Sequence, residues 1–177
     1  MSASLLSSTP SWPTLVVGLG NPLLGDDGVG WRAAEQIERQ VRLLEYPVEV
    51  DCLATGGLSL MERLIGYQHV ILIDAIFSGR VPVGSIQCLT LDDLPDLAAG
   101  HLSSAHDTTL PTAFGVGRAL GVPLPDDVAI VAVETAPTFD FAETLTPPVA
   151  AAVSPVTQLV IERLADLTKR KNDDGIS

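Results

Sequence analysis

Thr14-Leu15-Val16-Val17-Gly18-Leu19-Gly20-Asn21-Pro22-Leu23-Leu24-Gly25-Asp26-Asp27-Gly28-Val29-Gly30 passes from strand through loop to helix. Thr14 to Gly20 carries no charge, as expected of a strand covered on both faces. Asn21 to Gly30 holds Pro, Gly and two adjacent acids, the composition of a loop. Beyond it Val29, Ala33, Ile37, Val41 and Leu44 recur every three or four residues and form one apolar stripe along a helix. Arg32, Glu35, Glu38, Arg39 and Arg42 fall off that stripe. A buried strand followed by an amphipathic helix is the first half of a βαβ unit.

The same alternation continues outward. A second strand, about Val48 to Leu53, leads through Thr55-Gly56-Gly57 into a short helix containing Leu60, Leu64 and Ile65. His69 to Ala75 is another buried strand and runs into the carboxylate of Asp74. Gly84 to Leu91 reads as a fourth strand at a sheet edge, because a short Gly/Pro turn precedes it where a parallel crossover would need a helix. A loop with Asp92, Asp93, His101 and His106 precedes a helix over Thr108 to Leu120, which Gly115 and Gly117 weaken. Asp127 to Val133 is the fifth strand. The last helix starts near Pro147-Pro148 and carries Val149, Val153, Val156, Val160, Leu164 and Leu167 on one face, with Pro155 expected to kink or split it. These elements spell an α/β fold on a largely parallel sheet.

A chain of 177 residues suits one domain. Residues 1–12 are Ser/Thr/Pro-rich and residues 171–177 polar, so both are expected to fray around a domain at 13–170. Apolar residues make up 46% of the chain and charged ones 18%, which excludes disorder throughout. The net charge of −12 repels phosphate backbones and anionic lipid, so neither nucleic acid nor a membrane surface is an expected partner. No run approaches the ~18 apolar residues of a membrane span, and the opening residues lack a signal peptide's basic start and apolar stretch. The two cysteines, Cys52 and Cys88, have no metal or redox spacing and fall in apolar strands, which suits inert core thiols in a reducing cytoplasm.

In a parallel sheet, a loop after the first strand and the end of the third strand meet at the carboxyl edge, where α/β folds place ligands. Asp27 and Asp74 are therefore expected there, and the polar loop Ser103-Ser104-Ala105-His106-Asp107 can fold over the same edge. Two carboxylates and an imidazole make a mixed oxygen and nitrogen ligand set that suits divalent transition metals such as nickel and zinc. Plainer roles stand beside these. Asp26 or Asp27 can cap the following helix, and His106 can be a solvated or capping loop residue. Asp74 must be exposed, paired or bound, since burial without a partner is costly. Glu134 follows the fifth strand as Asp74 does the third and can flank the same site, with capping or solvent exposure as the plainer role. His69 and His101 read as surface residues. Gly18 and Gly20 begin a dinucleotide fingerprint, but Leu23 stands where its third glycine belongs and the paired acids repel a pyrophosphate. No G-x-S-x-G elbow is present, and no nucleophile can be assigned.

The run Val17 to Gly30 resembles the amino-terminal signature of the nickel-iron hydrogenase maturation proteases. Ile71-Leu72-Ile73-Asp74-Ala75 is similar to that family's second acidic strand end, Ser104-Ala105-His106 to its Ser-x-His loop, and Leu145 to Val153 to the approach to its last helix. The resemblance spans about residues 14 to 168. It implies a three-layer α/β/α sandwich with a twisted, mostly parallel five-stranded sheet. It also implies an endopeptidase that removes a carboxyl-terminal extension from the nickel-loaded precursor of a hydrogenase large subunit. The family's metal ligands map to Asp27, Asp74 and His106. The nickel then belongs to the substrate and no resident cofactor is expected, although other divalent ions would enter the site in vitro. Catalytic residues are not assigned by the resemblance; Asp27 and Asp74 are the candidates.

One departure is the turn after the second strand. Where many members carry Asp-Gly-Gly-Thr, this chain reads Asp51-Cys52-Leu53-Ala54-Thr55-Gly56-Gly57. Thr55, Gly56 and Gly57 are candidate substrate contacts, with a plain strand-to-helix turn as the simpler role. Two other functions compete. Gly18-Leu19-Gly20-Asn21-Pro22 is similar to the start of the peptidyl-tRNA hydrolases, whose Thr-Arg-His-Asn stretch is replaced here by Asp26-Asp27-Gly28. A non-catalytic chaperone that senses metal on the hydrogenase subunit would also need the acids and the histidine but no nucleophile.

Overall fold

Apolar side chains of both parities along the central strands are buried on opposite faces of one sheet. The computed structural model describes residues 14–44, 48–94, 109–137 and 141–174. Its elements are β1 (Thr14–Leu19), α1 (Val29–Leu44), β2 (Val48–Leu53), α2 (Gly57–Leu64), β3 (His69–Ile76), β4 (Ile86–Thr90), α3 (Leu110–Ala119), β5 (Asp127–Glu134) and α4 (Pro147–Asp174). Short 3₁₀ turns occupy Gly25–Gly28 and Leu91–Asp93. The sheet has five strands in the order β2-β1-β3-β5-β4. All neighbours are parallel except β4, which runs antiparallel to β5 at the edge. This is the mostly parallel five-stranded sheet that the sequence led us to expect.

Strand alternation builds the three layers. Val16, Ile71, Ile73, Val131 and Val133 pack with Val29, Ile37, Val156 and Val160 of α1 and α4. The intervening Leu15, Val17, Val70, Leu72 and Ile130 pack with Leu60, Leu64 and Phe114 of α2 and α3. Each such fully buried aliphatic side chain stabilises the fold by about 1.5–3 kcal/mol. Among the described residues, no helix is long and apolar enough to cross a membrane.

The glycines of the opening stretch are used up in this packing. A Cβ on Gly18 would lie 2.3 Å from the Gly30 carbonyl oxygen, and one on Gly30 would lie 2.3 Å from that of Ile73 and 2.4 Å from that of Leu19. Helix α1 thus rests directly on the backbones of β1 and β3. That contact explains a Gly-rich strand-to-helix passage without any phosphate ligand.

Two expectations are corrected. Helix α4 is one element from Pro147 to Asp174 with Pro155 inside it, so Pro155 does not split it. Pro155 removes the donor for the Ala151 carbonyl, but both residues are exposed, and water can satisfy the freed oxygen. Pro155→Ala should restore that bond and raise stability by about 1–3 kcal/mol in urea unfolding; an unchanged midpoint would contradict this account. Cys88 is exposed rather than a core thiol, because β4 is an edge strand, whereas Cys52 is half-buried. His69 opens β3, where the third expected strand begins, with Nδ1 3.4 Å from an Asp127 carboxylate oxygen.

Candidate functional site

The chain reverses direction across the sheet between β1 and β3. Helix α1 connects β1 to β2 on one face, and α2 connects β2 to β3 on the other. A crevice therefore opens at the carboxyl ends of β1 and β3, the switch point where α/β sheets bind ligands. Asp27 lies in the 3₁₀ turn that follows β1, Asp74 lies near the end of β3, and the turn packs against β3. Both acids expected at the sheet edge are there.

Gly20 makes the turn possible. Its φ of +115° lies in the left-handed region, and a Cβ there would come within 1.9 Å of the Asp27 carbonyl oxygen. The loop folds back so closely that the Asn21 amide donates to Asp27 Oδ2 at 2.7 Å. Across the crevice, the Ala75 amide donates to Asp74 Oδ1 at 2.8 Å. Each acid is thus oriented through one oxygen. Among the described residues, nothing donates to Asp27 Oδ1 or Asp74 Oδ2.

Electrostatics set Asp74 apart. Burial pushes its carboxyl up to about 7, the Ala75 amide works against that rise, and the negative charge of Asp27 adds to it. A half-buried acid pair of this kind is poorly solvated when both members are ionised, and a cation relieves the repulsion.

The neighbouring acids are occupied. Asp26 is buried, and its two oxygens accept from Thr146, the amide at 2.7 Å and the hydroxyl at 2.8 Å. It caps nothing in α1, contrary to one role open from sequence. Glu134 is 1% exposed and accepts from the Ser78 and Gly79 amides, the Ser78 hydroxyl and Gln87 Nε2. It ties the loop after β3 to the edge strand. Asp51 accepts from the Cys52 amide and from Arg63 Nε, while Arg63 also bonds Tyr67 and Glu49. That cluster joins β2 to α2 and leaves Asp51 no free oxygen for chemistry. Burial, followed by the charges of Glu35 and Asp51, pushes the Cys52 thiol up to about 11, which suits an inert thiol and no nucleophile.

Thr55, Gly56 and Gly57 lie at the end of β2 on the same edge. Gly57 starts α2 with φ +54°, so its glycine serves the turn. Gly56 is exposed, has an extended backbone, and a Cβ there would meet nothing within 4 Å. Its lack of a side chain has no packing cause, which leaves room for a ligand's backbone to approach. Trp31, missed from sequence, braces this corner: its indole N–H and the Gly20 amide both donate to the Leu53 carbonyl.

His106 and His101 lie outside the described residues, and His106 stands three positions before Thr109, the N-cap of α3. Among the described residues, no group of three His, Cys, Asp or Glu side chains could hold a metal ion. Asp27 and Asp74 stand at one edge, and the third group of the expected set, His106, falls outside the described residues.

With this geometry in view, the comparisons with known proteins fall into place. The family model HycI, hydrogenase maturation protease, matches residues 31–163. The chain is 30% identical to the hydrogenase 2 maturation protease of Escherichia coli over 152 residues, 86% of this chain and 90% of that one. It is 26% identical to the hydrogenase expression/formation protein HupD of Thiocapsa roseopersicina over 165 residues, 92% of this chain and 73% of that one. Its fold is similar to the solved hydrogenase maturating endopeptidase HybD of Escherichia coli, with a TM-score of 0.70 and 27% identity over 86% of this chain and 92% of that one. The peptidyl-tRNA hydrolase likeness of Gly18 to Pro22 is thereby set aside. The chain belongs to the hydrogenase maturation protease family and is a peptidase.

Proposed function

We propose that the protein cuts the carboxyl-terminal extension from the precursor of a nickel-iron hydrogenase large subunit in the cytoplasm, once nickel has been loaded into that precursor. The observation that carries this reading is the contrast among the edge acids. Among the described residues, Asp27 and Asp74 each have one oxygen without a donor at the switch point, whereas Asp26, Asp51 and Glu134 have both oxygens engaged. With His106 as the third ligand, the two acids take hold of a nickel ion that remains part of the substrate. An unloaded precursor lacks that contact and binds more weakly. No resident metal is needed, and other divalent ions would enter the same ligand set in vitro. The exposed Thr55-Gly56-Gly57 turn offers the precursor's chain a place to lie along the rim.

Peptide hydrolysis requires a group that takes a proton from water and returns one to the leaving amine. Asp27 and Asp74 are the carboxylates placed to carry that proton, and the cargo nickel, once held, would supply Lewis-acid polarisation of the carbonyl or of water.

Mass spectrometry of loaded and unloaded precursor after incubation tests the proposal. Loss of a carboxyl-terminal peptide is expected from the loaded form alone. Asp27→Asn and His106→Ala should each slow that loss by more than about a hundredfold while leaving the fold intact, since removing a ligand exceeds the 10–100-fold cost of disturbing its outer partners. Equal processing of unloaded precursor, or normal processing by Asp27→Asn, would defeat it. Binding of loaded precursor without cleavage would instead favour the chaperone.

A further inference from the structure

Asp26 and Asp27 are adjacent and chemically identical, yet they engage different parts of the molecule. Asp26 is directed away from the crevice into a buried contact with Thr146, 120 residues further along the chain. Thr146 immediately precedes α4, and its carbonyl accepts from the Ala150 amide at 2.8 Å, so it is the residue from which that helix starts. An acid at this place also meets the positive end of the α4 dipole.

The contact is one of several along a strip. The Gly25 amide donates to the Ala142 carbonyl at 2.6 Å, the Ala142 amide to the Leu23 carbonyl at 3.0 Å, and Arg32 to the Glu143 carbonyl at 3.1 Å. Leu24 and Ala142 form an isolated parallel bridge. Residues 142–146 thus brace the loop and turn that carry Asp27 from outside, while Gly20 and Gly30 fix them from inside. Asp26 supplies the only side-chain carboxylate among the described residues in this brace.

We propose that Asp26 is a positioning residue for the cation-binding acid beside it: by holding Thr146 through both oxygens it sets the turn Gly25–Gly28 so that Asp27 stands in register with Asp74. This inference rests on the reading that Asp27 and Asp74 hold a cation. It implies that the start of α4 and the Asp27 turn move together, so a precursor pressing on residues 142–146 is felt at the carboxylate pair.

The test uses the full-length protein and two independent readouts. Without metal, hydrogen exchange of the Asn21 amide reports whether Asp27 is in place, because that amide donates to Asp27 Oδ2. With Ni²⁺ alone, calorimetric titration reports affinity. Asp26→Ala, checked for folding by circular dichroism, should speed Asn21 exchange at least about tenfold and weaken Ni²⁺ binding by a similar factor, as expected for loss of an outer partner. Asp26→Asn and Thr146→Ser retain hydrogen-bonding groups of similar shape and should restore both readouts to near the wild-type values. Should Asp26→Ala fail to fold, Thr146→Val, which deletes one hydroxyl, carries the same expectation in smaller degree. A folded Asp26→Ala or Thr146→Val protein with wild-type Asn21 exchange and wild-type affinity would overturn the proposal. Wild-type protein that ignores Ni²⁺, together with faster Asn21 exchange in Asp26→Ala, would defeat the cation reading while leaving the positioning role standing.

Discussion

Asp74→Asn should abolish precursor processing and, at the same time, make the metal-free protein more stable at pH 8. The two effects share one cause. Asp74 has its pKa raised from 3.8 to about 7, by burial first and by the charge of Asp27 after that. Between those values the folded protein holds a proton that the unfolded chain has released, so this group's stabilising contribution is present in full below pH 3.8 and disappears as pH rises through 7. At pH 8 the ionised Asp74 burdens the fold by up to about 4 kcal/mol, at about 1.4 kcal/mol for each pKa unit. Asparagine cannot ionise. The variant should therefore gain about 2–4 kcal/mol over wild type in urea unfolding at pH 8 and about 1–1.5 kcal/mol at pH 5. A gain of equal size at both values, or a loss at pH 8, would show that Asp74 carries no such penalty. Processing should fall by more than about a hundredfold in the same variant, since the proposed function makes Asp74 a ligand and not merely an outer partner. For the wild type, Ni²⁺ must displace the Asp74 proton below pH 7, so affinity should rise by up to about tenfold per pH unit towards 7 and flatten above it.

How much of this was legible in the sequence depended on whether the cause was local. Strands β1, β3 and β5 were readable because both faces are covered, which demands an uninterrupted apolar run whatever lies elsewhere in the chain. The edge position of β4 followed from the shortness of the connection before it. Because strand ends were readable, so was the meeting of Asp27 and Asp74 at one edge. What separates the acids held through one oxygen from those held through both was not readable. Asp26 is spent on Thr146, and Glu134 on Ser78, Gly79 and Gln87, through contacts 120 and 47–56 residues apart in the chain. No local pattern marks such partners. Pro155 and Cys88 escaped for a related reason: the cost of a missing helix donor and the burial of a thiol both depend on which side faces water, and that is set by tertiary packing.

Gly30→Ala should be among the most damaging single methyl additions at the described glycines, and Gly56→Ala among the least. A Cβ at Gly30 would fall 2.3 Å from the Ile73 carbonyl oxygen, 2.4 Å from the Leu19 carbonyl oxygen and 2.8 Å from the Leu19 nitrogen. All three are backbone atoms inside paired strands, and no rotamer change can move them away. Helix α1 must lift off β1 and β3, opening the packing of Val29, Ala33 and Ile37 against Val16, Ile71 and Ile73. Overpacking of this kind costs about 1–3 kcal/mol where side chains can yield and more where backbone must, so a loss above about 3 kcal/mol is expected in urea unfolding. The lift would begin at the end of the Asp27 turn and next to Ile73, the residue before Asp74. Whatever protein remains folded should therefore bind Ni²⁺ less tightly as well. At Gly56 the added methyl meets open space on an extended backbone, so stability should change by less than about 1 kcal/mol. If Gly56→Ala nevertheless slows precursor cleavage, the slowing arises in substrate contact and not in folding, because the two measurements part at this residue. If Gly30→Ala leaves stability within about 1 kcal/mol of wild type, helix α1 does not rest on the strand backbones, and the crevice between Asp27 and Asp74 loses its rigid wall.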